Sequence, residues 1–69
     1  MDDEGLSIVR EALDTQLREE DFDRAVGRAV RRRNLDFKKY VEIMGELRES
    51  ARSSSLPIED AARKLLVRA

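Results

Sequence analysis

The stretch LREEDFDRAVGRAVRRRNLDF, residues 17–37, carries the signals that set the number of helices in this chain. Phe22, Val26 and Val30 recur at intervals of four, which is the spacing of one face of an α-helix. This periodicity predicts a helix over 21–33, with the aspartate at its first position as the N-cap. Small residues fill the rest of this face, so the sequence leaves open whether it packs within the chain or against another copy.

A second apolar stripe precedes this helix, and its phase is different. Its members are Leu6, Val9, Leu13 and Leu17. They fall within roughly 80° of arc at about 100° per residue, and the stripe from Phe22 to Val30 centres roughly 170° away. One straight helix would therefore need apolar partners on two opposite sides, whereas two helices joined near 19–21 need only one core. Two helices are the preferred prediction, and one continuous helix is the alternative.

Capping residues and the single proline mark the remaining boundaries. The arginines at 31–33 suit a helix C-terminus because cations complement the helix dipole, and Asn34 tolerates the left-handed conformation that ends a helix. Asp36 is placed to cap the next helix, and Pro57 fits only a first helical turn or a loop. The apolar stripe of the third helix consists of Phe37, Tyr40, Val41, Met44, Leu47 and Ala51. The sequence thus predicts four helices with the approximate bounds 5–18, 21–33, 36–52 and 57–68.

All 69 residues are expected to form a single helical domain, 1–69. No segment alternates apolar and polar residues with the period of two that a strand requires. Short connections favour helices that pack on their chain neighbours, so the predicted fold class is all-α, a compact four-helix bundle. A chain of this length buries only about 60% of its unfolded surface, so its core is thin. The thin core favours a homo-oligomer, with a dimer as the favoured state.

The composition argues against catalysis. The sequence holds no cysteine and no histidine, so it lacks the usual general base near neutral pH, a thiol nucleophile and the usual ligands of structural zinc. It also lacks a glycine-rich phosphate-binding motif. We therefore predict a non-enzymatic protein with no catalytic residue, no metal, no cofactor and no small-molecule substrate. Gly27 and Gly45 fall within helical stripes, where they are predicted to allow close helix packing.

The carboxylates of the third predicted helix offer an alternative to this prediction. Glu46 and Glu49 form an ExxE pair, which resembles half of the motif of all-helical nucleotide pyrophosphohydrolases. These enzymes also need a downstream ExxD, whereas the residue three before Asp60 is Pro57. The preferred interpretation is an exposed, salt-bridged helix face.

Charge is segregated along the chain. Residues 1–23 carry nine acidic and two basic side chains, and residues 24–39 carry seven basic side chains against one acidic. The basic segment is either free to bind a polyanion or an acidic partner, or neutralised by the acidic N-terminal helix, within the chain or across a dimer. The residues proposed to make such contacts are Arg28, Arg31, Arg32, Arg33, Lys38 and Lys39. Phe37 and Tyr40 belong to the third apolar stripe, so they are predicted to lie in the core rather than to stack on bases.

These features favour a helical protein-interaction and oligomerisation module that self-associates or binds a protein partner through an apolar groove edged by charges. The alternative is a small nucleic-acid-binding regulator that uses the basic segment 24–39, with an affinity that falls steeply as salt rises. Nucleic acid is the less favoured partner. No apolar run approaches the ~18 residues of a membrane span, and the acidic start lacks the basic region of a signal peptide. The sequence therefore predicts a cytoplasmic location without membrane contact.

Overall fold

Four α-helices account for most of the chain in the computed structural model, which describes residues 1–68. They are α1 (Asp3–Thr15), α2 (Phe22–Arg32), α3 (Phe37–Ser54) and α4 (Ile58–Arg68), and no strand occurs among the described residues. Each helix packs against its chain neighbours, and α1 also contacts α4, so the four helices surround one core. The predicted all-α four-helix bundle is confirmed.

The segment between α1 and α2 is a turn, so the alternative of one continuous helix is wrong. α1 ends three residues earlier than predicted, and Asp21 takes the N-cap position of α2 without a side-chain capping hydrogen bond. The side-chain amide of Gln16 donates to the carbonyl oxygen of Glu20 at 2.9 Å and to a carboxylate oxygen of Glu59 at 3.0 Å. These hydrogen bonds stabilise the non-helical conformation of the chain after α1 and connect the turn to α4.

Capping residues fix the other helix ends. Asp36 accepts a hydrogen bond from a backbone N–H of α3 at 3.2 Å, and Asn34 has a φ of 56°, both as predicted. Asp2 accepts a backbone N–H of α1 at 2.7 Å, so this helix begins two residues before its predicted start. α3 continues two residues beyond its predicted end and closes at Ser55, which has a left-handed φ of 54°.

The core consists of apolar side chains from all four helices, and no polar side chain is buried among residues 1–68. The face of α2 that the sequence left unassigned packs within the chain, since Val26 and Val30 are 0% and 2% exposed. This face contacts α1 and α3 rather than another copy. The largest completely buried side chains are Ile8, Ile43, Met44, Leu47, Val9 and Val26.

Three residues predicted to lie in apolar stripes are exposed instead. Leu17 is 65% exposed because α1 ends before it. Phe37 and Val41 are 70% and 51% exposed. At about 100° per residue they lie roughly 60–100° from the centre of the buried face of α3, and Ile43 takes the opposite edge of that face. The bundle therefore covers only one side of the wide apolar surface of α3, and it leaves Phe37 and Val41 in solvent.

Candidate functional site

Four of the six basic residues proposed as contacts are paired with acidic side chains of the same chain. Two of them share Glu11, a residue of α1. The Nε atom of Arg32 and an Nη atom of Arg33 each lie 3.0 Å from one of its carboxylate oxygens. Arg33 also donates to the hydroxyl of Ser7 at 3.1 Å. This single carboxylate therefore offsets one of the two positive charges that Arg32 and Arg33 place at the C-terminal end of α2.

The third paired arginine, Arg28, contacts the turn between α1 and α2. It forms an ion pair with Glu20 and donates to the carbonyl oxygen of Thr15 at 3.0 Å. The hydrogen bond from Arg28, followed by the backbone N–H of Leu17, lowers the pKa of the Glu20 carboxyl. The guanidinium thus joins α2 to both ends of the turn.

The fourth paired cation, Lys39, sits in an acidic environment. Its Nζ atom lies 2.9 Å from Asp2, 3.7 Å from Glu4 and 3.9 Å from Glu42. The hydrogen bond with Asp2 raises the pKa of the lysine and lowers that of the aspartate. The ammonium group is consequently engaged by α1 and is no longer available as a free charge.

Three cations of the basic segment keep their charge for other partners. Arg24, Arg31 and Lys38 form no ion pair within 4 Å in the part of the chain that the structure describes. All three side chains are exposed. Residues 24–39 are therefore neither wholly free nor wholly neutralised. Arg31 and Lys38 lie near the junction of α2 and α3, and Arg24 lies in the first turn of α2.

A groove lies between α2 and the start of α3, and two of these unpaired cations, Arg24 and Arg31, line it. Its volume is about 540 Å³. A Cβ atom at Gly27 would lie 3.7 Å from the Tyr40 ring and from Nη1 of Arg31, which is ordinary van der Waals contact. The absence of a side chain at Gly27 therefore leaves the groove open. At Gly45 no atom lies within 4 Å of an added Cβ, so the prediction that these glycines allow close helix packing is wrong at both positions. The lining residues are Asp23, Arg24, Gly27, Val30, Arg31, Leu35, Phe37 and Tyr40.

Two stacked aromatic rings form one wall of this α2–α3 groove. The ring centroids of Phe37 and Tyr40 are 5.3 Å apart, with 27° between the ring planes. Tyr40 is half-buried and packs against the core, as predicted in part, whereas the prediction that Phe37 lies in the core is wrong. Full burial of such a side chain contributes roughly 1.5–3 kcal/mol. The groove therefore suits a group that covers the aromatic wall with apolar atoms and places negative charge beside the guanidinium groups.

The carboxylates of α3 take part in ion pairs. Glu49 pairs with Arg52, and Glu46 lies 3.0 Å from the α-amino group of Met1. No group of three or more acidic side chains is arranged to hold a metal ion within residues 1–68. The ExxE pair thus has the salt-bridged character that the sequence favoured.

The paired carboxylates predict how stability depends on pH. Hydrogen bonds hold the pKa values of Asp2, Glu20 and Glu59 below their ordinary values of 3.8, 4.5 and 4.5. Each such group contributes stability above its unfolded pKa, and this contribution is lost as the pH falls through the lower folded pKa. The raised pKa of Lys39 contributes stability below its ordinary value of 10.5, and this is lost at higher pH.

We therefore expect the free energy of unfolding to stay level from about pH 5 to about pH 7, because there is no histidine to titrate, and to decline below about pH 4.5. Urea unfolding followed by circular dichroism at a series of pH values measures this profile. A transition centred between pH 6 and pH 7 would contradict the assignment of these carboxylates as the acid-sensitive groups.

Comparison of the chain with known protein families, with curated proteins and with solved structures finds no match. Within residues 1–68, no helix combines the length and the apolar character that a membrane span requires.

Proposed function

We propose that this chain is a non-enzymatic protein-interaction module that self-associates, and that the α2–α3 groove is its docking surface. The observation that carries the proposal is Phe37, which is 70% exposed and stacked on Tyr40 beside two unpaired arginines. Aromatic residues and arginine are enriched at the centres of protein interfaces. We also propose a cytoplasmic location, which the lack of cysteine supports.

A second copy is the proposed occupant because the chain carries both halves of a charge complementarity. The groove is edged by Arg24 and Arg31, and Lys38 follows the exposed aromatic residue. Residues 1–23 contain nine acidic side chains, of which those paired with the basic segment are Asp2, Glu4, Glu11 and Glu20. The other acidic side chains of this segment remain for contact with another copy.

A matched pair of glycine substitutions tests the docking surface. Gly27→Leu fills the groove, whereas Gly45→Leu places the same side chain at an exposed position where no atom lies within 4 Å of the added Cβ. Leucine is the better helix former, so neither variant is expected to lose stability. Sedimentation from low micromolar to millimolar concentration should show a monomer–dimer equilibrium for the wild type and for Gly45→Leu. Gly27→Leu should weaken it at least about tenfold.

Two results would overturn this proposal. One is a wild-type protein that stays monomeric over the whole concentration range. The other is a Gly27→Leu variant that associates as tightly as Gly45→Leu, because the groove would then not be part of the interface.

A small nucleic-acid-binding regulator is the second candidate, and one observation favours it. Arg24, Arg31 and Lys38 are unpaired beside an exposed aromatic ring, and single strands bind through stacking and phosphate contacts. Three cations limit the slope of log affinity against log salt to about −2 for a single strand. Fluorescence anisotropy of a labelled oligonucleotide at low salt tests this candidate. Binding that dissociates the dimer would assign the groove to nucleic acid, and no binding would remove the candidate.

A further inference from the structure

The turn between α1 and α2 holds one exposed apolar side chain on a fixed backbone. Leu17 is 65% exposed, yet its N–H donates to the Glu20 carboxylate at 3.0 Å and its carbonyl oxygen accepts from the Glu20 N–H at 3.1 Å. Arg28 pairs with the same carboxylate, and Gln16 connects the turn to Glu59 in α4. A side chain displayed on such a preorganised turn loses little backbone entropy when it binds.

The segment 14–21 consists of this turn and the last two residues of α1, and we call it the Leu17 turn. It is also acidic. Asp14, Glu19 and Asp21 are exposed and form no ion pair within 4 Å among the described residues, and Arg18 is the one basic residue of the segment. The turn thus combines an apolar tip with flanking negative charge. The α2–α3 groove offers complementary side chains: the aromatic rings of Phe37 and Tyr40 and the positive charges of Arg24 and Arg31. Asp23 is the acidic residue of the lining.

We propose that the Leu17 turn of one copy docks in the α2–α3 groove of a second copy. Leu17 covers the stacked pair of Phe37 and Tyr40, and the carboxylates beside it approach Arg24 and Arg31. This inference rests on the proposed function and names the segment that fills the groove. The contact joins two different surface patches, so a twofold dimer contains it twice, once in each direction.

Complementation between two variants tests this pairing. Leu17→Glu and Phe37→Glu each place a carboxylate on one side of the contact. Both positions are exposed, and Phe37 is the first residue of α3, where an acidic side chain suits the helix dipole. Each variant alone is expected to raise the dimer dissociation constant at least about 30-fold. Mixed in equal amounts, they are expected to associate more tightly than either variant alone, because one of the two contacts in the heterodimer joins the wild-type Leu17 of one chain to the wild-type groove of the other.

Sedimentation velocity and native mass spectrometry, which separates the heterodimer by mass, give the readout. Val67→Glu is the matched control, since Val67 is 85% exposed on α4 and lies outside both patches; it should dimerise like the wild type. Loss of association in Phe37→Glu but not in Leu17→Glu would overturn this inference and leave the groove as the docking surface. A mixture that associates no more tightly than the two variants alone would also overturn it. A wild-type monomer at millimolar concentration would overturn the proposed self-association itself.

Discussion

Leu47→Ala is expected to lower the free energy of unfolding by about 3 kcal/mol, within a usual range of roughly 2–5 kcal/mol for this substitution at a buried site. Leu47 is completely buried in the core that all four helices form. The truncation removes apolar atoms and leaves a cavity that a packed interior closes only in part. Because a core of this size rarely supplies more than about 3–5 kcal/mol, the variant should retain at most about 2 kcal/mol and be only marginally stable at room temperature.

Val41→Ala on the same helix is the control for this prediction. Val41 is 51% exposed, and exposed substitutions away from caps and ion pairs usually change stability by less than about 0.5 kcal/mol. Urea unfolding followed by circular dichroism compares the two variants with the wild type. Equal losses in both would contradict the assignment of the buried face of α3.

The double variant Glu11→Gln, Glu20→Gln is expected to turn the basic segment into a surface that binds polyanions. The two carboxylates form ion pairs with Arg28, Arg32 and Arg33. Glutamine keeps the shape of the side chain but not its charge, so the three guanidinium groups gain the freedom to contact phosphates. The net charge rises from −1 by two units, to +1.

The measurement is anisotropy of a labelled single-stranded oligonucleotide over a range of salt concentrations. Three additional phosphate contacts steepen the slope of log affinity against log salt by about 2. The affinity at about 50 mM salt should rise at least about tenfold over the wild type. The variant Asp3→Asn, Asp60→Asn makes the same change in net charge at two exposed residues outside both surfaces; Asp3 forms no ion pair within the described part of the chain, and Arg63, the partner of Asp60, stays paired with Glu59. An equal gain in this control would show that net charge, rather than release of the arginines, produces the binding.

The helices were predictable because their signals are local. Apolar spacing located all four, and Asp36 and Asn34 began or ended them as expected. The end of α1 was not predictable, because the hydrogen bond from Gln16 to Glu59 joins residues 43 positions apart. Leu17 therefore continues the apolar spacing of α1 in the sequence but lies beyond the end of the helix.

The ion pairs that occupy most of the basic segment are also long-range. Arg33 meets Glu11 from 22 positions away, and Lys39 meets Asp2 from 37. Opposite charge in two segments predicts attraction, but it does not predict which side chains meet. Which cations remain unpaired is a property of the packed bundle.

One signal for the groove was present in the sequence and was missed. Arg24, Gly27 and Arg31 fall within roughly 60° of arc on one face of α2. A glycine between two arginines on one helix face indicates an open site with cationic edges. The exposure of Phe37, in contrast, depends on how far the neighbouring helices extend over α3, and periodicity alone cannot give that.

The contact between the Leu17 turn and the α2–α3 groove is tested most directly by an isotope-filtered nuclear Overhauser measurement on an equal mixture of methyl-labelled and unlabelled protein. We expect an intermolecular cross-peak between the methyl groups of Leu17 in one copy and the ring protons of Phe37 in another, and its loss when Gly27 is replaced by leucine. Leu17 methyls that show no cross-peak to the aromatic ring, at a concentration where sedimentation detects the dimer, would contradict the proposed contact.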